Sequence, residues 1–325
     1  MRISTTVGVG LDGPQTAADI TAEVRRAADL GLAGAWWPQL FGWDALTSLA
    51  VAGVQVPGIP LGTAVVPTYP RHPLVLASQA LSAQAAVGNR LTLGLGPSHR
   101  HLVEDLFGYR FDRPARHTRE LLEVLGPLLR GEAVEHRGEA HHVVGQVVVP
   151  GAEPPRVLLA ALGPVMLGIA GELADGTVAT WTGVRTVGHH IVPRLVAAAE
   201  RAGRPAPEVV VSLPLAVTTG GEGGADAARA WVAERFGVAG DMPSYRAMLD
   251  LEGVAGVDEV VIAGDEASVE RQLRSFADAG ATEMIAVPFG PPDQVDRTLA
   301  LLSTLNAAAG PAQPAARAGQ PPVRA

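Results

Sequence analysis

Short apolar runs alternate with amphipathic helical runs along almost the whole chain, and this alternation limits the fold more than any other feature. The apolar runs lack polar alternation, so they read as parallel strands covered on both faces. They fall at residues 3–11, 33–37, 61–66, 91–95, 156–160, 177–180, 208–217 and 283–287. Helical spacing occupies 16–30, 45–53, 73–86, 115–129, 164–173, 187–202, 267–279 and 294–308. In the first of these helices Ile20, Val24, Ala27 and Ala28 share one face. Eight strand–helix units in 325 residues predict a closed (β/α)8 TIM barrel, with a doubly wound open sheet as the alternative. Hydrophobic residues at 47% and charged residues at 18% supply a core of that size.

Two segments exceed a minimal barrel. Residues 131–149 read as a polar strand pair, a hairpin inserted after the fourth helix. Residues 220–264 hold extra helices at 225–236 and 245–251, expected to cover the barrel top or form an interface. Residues 1–308 therefore make one domain, and the Pro/Ala/Gly-rich residues 309–325 a disordered tail.

Composition narrows the chemistry. Cysteine and lysine are both absent, which excludes disulfides, thiolate nucleophiles, Schiff bases and a Walker-type phosphate loop. A net charge of −8 offers no basic field for nucleic acid or an anionic membrane. The uncharged run 45–70 contains Pro57, Pro60 and Pro67, so it reads as buried helix, turn and strand rather than a membrane span. No apolar run near residue 1 is long enough for a signal peptide, and a cytoplasmic location is expected.

A barrel places its active site at the C-terminal ends of the strands. Those ends hold few carboxylates: no glycosidase pair, no HxH after strand one and no G-x-S-x-G elbow. His99 and His101 alternate without further ligands grouped beside them, so no metal site is predicted. What remains is an apolar, aromatic-lined mouth with amides, hydroxyls and histidines, which suits an organic redox cofactor. His99, at the end of strand four, is the candidate for protonating or orienting a substrate. Phe41 and Trp43 beyond strand two, and Trp181 beyond strand six, are candidate pocket walls. One of Trp36 and Trp37 belongs to the barrel interior and the other to the helix layer. Leu162, Gly163 and Pro164 open a helix whose free N–H groups either hold a phosphate or form an ordinary turn. His72 reads as a helix start, and His117 and Arg119 as wall residues. His141, His142 and the run Glu132, Glu135, Glu139 read as hairpin surface.

In order and spacing, the runs LGTAVVP at 61–67 with YPRHP at 69–73, NRLTLGLGPSH at 89–99, RP at 113–114 with HTRE at 117–120, AALGP at 160–164 with AGELADG at 170–176, and AGATE at 279–283 resemble the luciferase-like monooxygenase superfamily, in particular its F420-dependent branch. The likeness covers roughly residues 1–308. It implies coenzyme F420, or alternatively FMN, across the barrel mouth, with a non-prolyl cis bond at Ala64–Val65 behind the ring. It further implies that Thr63, Val66 and Ser98 line the ring pocket, that Gly163 and its neighbours hold the phosphate, and that Thr180 contacts phosphate or ribityl. Gly183 falls near a lysine of some members, with Arg185 as a substitute. Some dehydrogenases of the branch carry an acid–His pair after strand two; here Gln39 and Leu40 stand instead, and Gln39 joins His99 as a candidate catalytic residue. The departure points away from alcohol oxidation and towards reduction of an activated C=C or C=N bond, in a small molecule or a modified peptide. An FMN monooxygenase served by a separate reductase and a non-catalytic flavin binder are the alternatives. A homodimer is expected by analogy.

Overall fold

The computed structural model describes residues 1–10, 13, 15–39 and 41–308. The expected disorder of 309–325 therefore falls outside the described residues. Eight parallel strands close a barrel in the order β1 (Arg2–Thr6), β2 (Ala35–Trp37), β3 (Leu61–Thr63), β5 (Leu91–Gly96), β8 (Arg156–Leu159), β9 (Gly176–Thr180), β10 (Glu208–Val217) and β12 (Glu283–Pro288), which pairs again with β1. The short β4 (Val66–Pro67) continues the line of β3 and pairs with β5.

Local sequence explains where the surrounding helices begin. Thr16 and Asp19 form a capping box on α1 (Ala17–Asp29). Asp44 caps α2 (Ala45–Gln55), and His72 caps α3 (Pro73–Ala86) through Nδ1. Proline at the first helical position starts α3, α4 (Pro114–Leu129) and α5 (Pro164–Leu173). The antiparallel hairpin β6 (Val134–Arg137) and β7 (His142–Gly145) follows α4 as expected.

The structure differs from the sequence reading in four places. Strand one stops at Thr6, because Gly8 and Gly10 take left-handed φ of 72° and 60°. The third apolar run is divided between β3 and β4 by a cis bond at Ala64–Val65, the bond the family likeness implied. The sixth helix begins earlier, as α6 (Val184–Thr186), and passes through a π-turn into α7 (Val192–Arg201). The insertion holds more than α8 (Glu222–Phe236) and α9 (Pro243–Glu252). A short β11 (Ile262–Gly264) pairs with β10 on the edge opposite β12, since Leu215 faces both Ile262 and Pro288. Helices α10 (Glu266–Asp278) and α11 (Pro292–Ala308) complete the ring.

Side-chain alternation sorts the core into two layers. Trp36, Leu158, Val178, Val210 and Ile285 fill the barrel interior, while Trp37 joins the larger core between strands and helices. The interior rests on a charged base. Arg2, Arg156, Glu208 and Glu283 are the first residues of β1, β8, β10 and β12, and each arginine pairs with Glu208. Arg2 also reaches Glu283 at 2.7 Å.

Candidate active site

The mouth at the C-terminal strand ends is built on a shelf. Ala64 and Val65 pack onto the barrel interior from above, and Ala64 donates its N–H to the Trp37 carbonyl at 2.8 Å. Beyond Thr92, strand β5 turns glycine inward beneath them. A Cβ on Gly94 would overlap the Thr63 carbonyl oxygen, and one on Gly96 would come within 2.8 Å of Val65 Cγ2. Thr63 and Val66, expected on the pocket lining, lie instead in the wall. Both are fully buried; the Thr63 hydroxyl exchanges bonds with Gly94 O and N at 2.8 and 2.9 Å, and Val66 packs among the helices.

Beyond β5 the chain turns sharply. Ser98 takes φ 65°, a left-handed value uncommon away from glycine. His99 follows, half-buried, and its imidazole makes no hydrogen bond among the described residues. Burial, and then His101, hold its pKa below the ordinary value. The ring meets Tyr245 edge-on at 5.0 Å. Tyr245 sits on α9, so the insertion delivers it over the mouth. Burial raises its phenol to about 12, and its hydroxyl has no partner among the described residues. Sequence reasoning missed Tyr245, because no local pattern ties position 245 to position 99.

The other insertion helix, α8, completes an aromatic band. Trp181, with φ 54°, packs on Phe236 at 5.7 Å; Trp231 touches Phe236 at 6.1 Å and stacks on Phe289 at 4.9 Å. Helix α8 thereby ties the end of β9 to the end of β12. The other expected wall residues, Phe41 and Trp43, stand on the β2–α2 loop, 68% and 48% exposed. Gln39 is engaged in the same loop: its Oε1 accepts from Ala45 N at 2.7 Å and its Nε2 donates to Trp43 O at 3.3 Å.

The two expected phosphate positions differ. Gly163 opens α5 with no side-chain cap, and nothing lies within 4 Å of where its Cβ would be. Its neighbour Leu162 is held through a carbonyl that accepts from His190 Nε2 at 2.7 Å. This start is open to an anion. At Gly183 the helix start is already filled, because Glu252 of α9 accepts from Arg185 N at 3.1 Å and Thr186 N at 2.7 Å. The Thr180 hydroxyl donates to Ser212 O at 2.9 Å and keeps only acceptor capacity.

His117 stacks on Tyr69 at 3.9 Å, and His141, expected at the surface, packs on His117 at 4.6 Å. The described residues contain no group of three or more His, Asp or Glu spaced to hold a metal ion. None of their helices is long and apolar enough to cross a membrane.

Fold and mouth together define a (β/α)8 barrel whose reactive end is apolar, nearly free of acid–base groups and open to a phosphate at one helix start. The chain belongs to the luciferase-like monooxygenase family, whose sequence profile matches residues 1–313. It is 28% identical over 224 residues to the 5,10-methylenetetrahydromethanopterin reductase of Methanolobus tindarius, covering 68% of each chain. The coenzyme F420-dependent tetrahydromethanopterin reductase of Methanopyrus kandleri shares the fold with a TM-score of 0.77 at 23% identity, over 93% of this chain and 98% of that one. The FMN-bound oxygenating component of 3,6-diketocamphane monooxygenase from Pseudomonas putida superposes with a TM-score of 0.75 at 15% identity, over 93% and 96%.

Proposed function

We propose that the chain is an oxidoreductase using coenzyme F420, and that it reduces an activated C=C or C=N bond of a small molecule or modified peptide. The observation that carries this reading is the end of β2, where no base stands and the Gln39 amide closes its own loop, so that the His99 imidazole at the end of β5 has no acid–base partner across the mouth. Removing a hydroxyl proton needs a base in reach. Reduction of a polarised double bond needs chiefly placement, hydrogen-bond donors and dryness.

The residues present fit the group. When bound, the deazaflavin supplies the hydride. The Ala64–Val65 shelf offers a flat apolar face with small residues below it. The uncapped amides after Gly163 would hold the phosphate, with Thr180 accepting a hydrogen bond beside them. Ser98 and His99 border the reacting face. His99 holds a proton at an imidazole nitrogen beside the substrate, and Tyr245 remains a hydrogen-bond donor to developing negative charge throughout the neutral range. Trp181, packed on Phe236, walls the mouth against water, and the exposed Phe41 and Trp43 offer apolar surface to a substrate. Gly183 contributes no phosphate contact in this reading, because Glu252 occupies its amides. A cytoplasmic homodimer belongs to the same proposal.

The FMN-bound relative supports a second reading, a monooxygenase served by a separate reductase. Titration of the full chain with F420 and with FMN, followed by absorbance and thermal shift, separates the two. Tighter F420 binding that raises the melting temperature, lost in Gly163→Asp, is the expected result. Preference for FMN transfers the assignment to the monooxygenase.

A further inference from the structure

A second cleft of about 680 Å3 opens beside the mouth, between the β4–α3 loop, residues 109–116 and the β6–β7 tip. Its volume is that of a small-molecule pocket. Phe111 joins the two regions, packing on Tyr69 at 5.2 Å and lying under the Arg100 guanidinium at 5.5 Å.

Arg71, Arg110, Arg113 and Arg116 line this cleft; Arg71 pairs with Asp44 at 2.7 Å, Arg110 with Asp112, and Arg113 and Arg116 share Glu139, so four guanidinium groups meet three carboxylates in a protein of net charge −8. Its aromatic wall is the ring stack of Tyr69, His117 and His141. Burial, assisted by the neighbouring histidine, brings His117 down to about 4; burial likewise lowers His141. His117 adds no charge near neutrality, so the excess positive charge of the cleft comes from arginine. Arginine presents paired donors that match carboxylate and phosphate oxygens.

The arrangement at the hairpin tip identifies the ligand chemistry. Glu139 places Oε2 on Arg113 Nη1 at 2.9 Å and Oε1 on Arg116 Nη1, so two guanidinium groups from the start of α4 share one carboxylate. Glu139 is mostly exposed and sits on the turn between two short strands, free to swing away at little expense in packing. The tip itself stays fixed, because Glu120 accepts the N–H groups of Glu139, Ala140 and His141 at 3.2, 2.8 and 3.0 Å.

We propose that this cleft binds a small, multiply charged anion bearing two or more carboxylate or phosphate groups, and that Glu139 holds the place of one of those groups until the ligand enters. The site needs no flavin and stands apart from the assignment of the mouth. Calorimetric titration of the full chain at low ionic strength with inorganic tripolyphosphate, and separately with citrate, tests it. Saturable binding is expected, weakened roughly tenfold by Arg116→Gln, which removes one charge-assisted contact. Glu139→Gln is expected to tighten it severalfold by removing the internal competitor. Preference for tripolyphosphate names a phosphorylated ligand, and preference for citrate a polycarboxylate. Absence of saturable binding in both the wild type and Glu139→Gln overturns the proposal, as does an affinity that neither substitution changes.

Discussion

Trp36 donates its indole Nε1 to Glu283 Oε1 at 2.8 Å, and so bridges β2 to β12 across the intervening β1. Ser4 of β1 donates to the same oxygen at 2.6 Å, and Arg2 Nε binds Oε2 at 2.9 Å. One buried carboxylate thus ties together three neighbouring strands where the barrel closes. Glu283→Ala leaves an indole, a hydroxyl and a guanidinium without their shared acceptor. The expected loss is about 3–5 kcal/mol. Urea unfolding measures it, and Glu283→Gln, which keeps one acceptor oxygen, should fall between.

Gly94 and Gly96 predict a graded pair. A methyl on Gly94 strikes the Thr63 carbonyl, which belongs to the strand and cannot move away. A methyl on Gly96 meets Val65 Cγ2 at 2.8 Å and Ala160 Cβ at 3.1 Å, both side-chain atoms rather than backbone. Gly94→Ala is expected to lose more than about 3 kcal/mol or fail to fold, and Gly96→Ala about 1–2 kcal/mol. Thermal melts followed by circular dichroism give the order. Equal effects would contradict the geometry.

His117 predicts a pH dependence. Burial and then His141 lower its pKa from 6.5 to about 4, with Glu120 acting in the opposite sense. The unfolded chain therefore binds the proton first as pH falls, and stability is lost between 6.5 and about 4. The full gap is worth up to about 3 kcal/mol, and solvent screening of a half-buried ring reduces that to about 1–2 kcal/mol. Unfolding free energies at pH 7 and pH 4.5 should differ less in His117→Asn than in the wild type by that amount.

Tyr245 covers His99, and removing the cover should release it. Proton NMR of labelled histidine is expected to show His99 titrating below its ordinary range in the wild type. In Tyr245→Ala the ring gains solvent and its pKa should rise, while that of His117 stays depressed. An unmoved His99 would show that Tyr245 does not desolvate it.

The barrel was legible in the sequence because apolar runs without polar alternation have few places to go except between two helix layers. The β5 run shows how far this reading reaches: leucine at 91, 93 and 95 faces the helices, while Gly94 and Gly96 leave room inside for Val65. The Gly163 helix start and the place of His99 followed from strand ends, because each lies within a few residues of its own strand, while the Ala64–Val65 shelf was implied only by the family likeness.

Other features depended on contacts that local spacing does not encode. Which of Trp36 and Trp37 points inward was settled by the register of β2 between β1 and β3. Glu252 filling the amides after Gly183, Tyr245 covering His99 and Glu139 joining Arg113 to Arg116 all pair residues from separate elements. Hydrophobic periodicity is local and determines which segments become strand or helix. The partners of polar and aromatic side chains are determined only when the closed barrel brings distant loops to the same end.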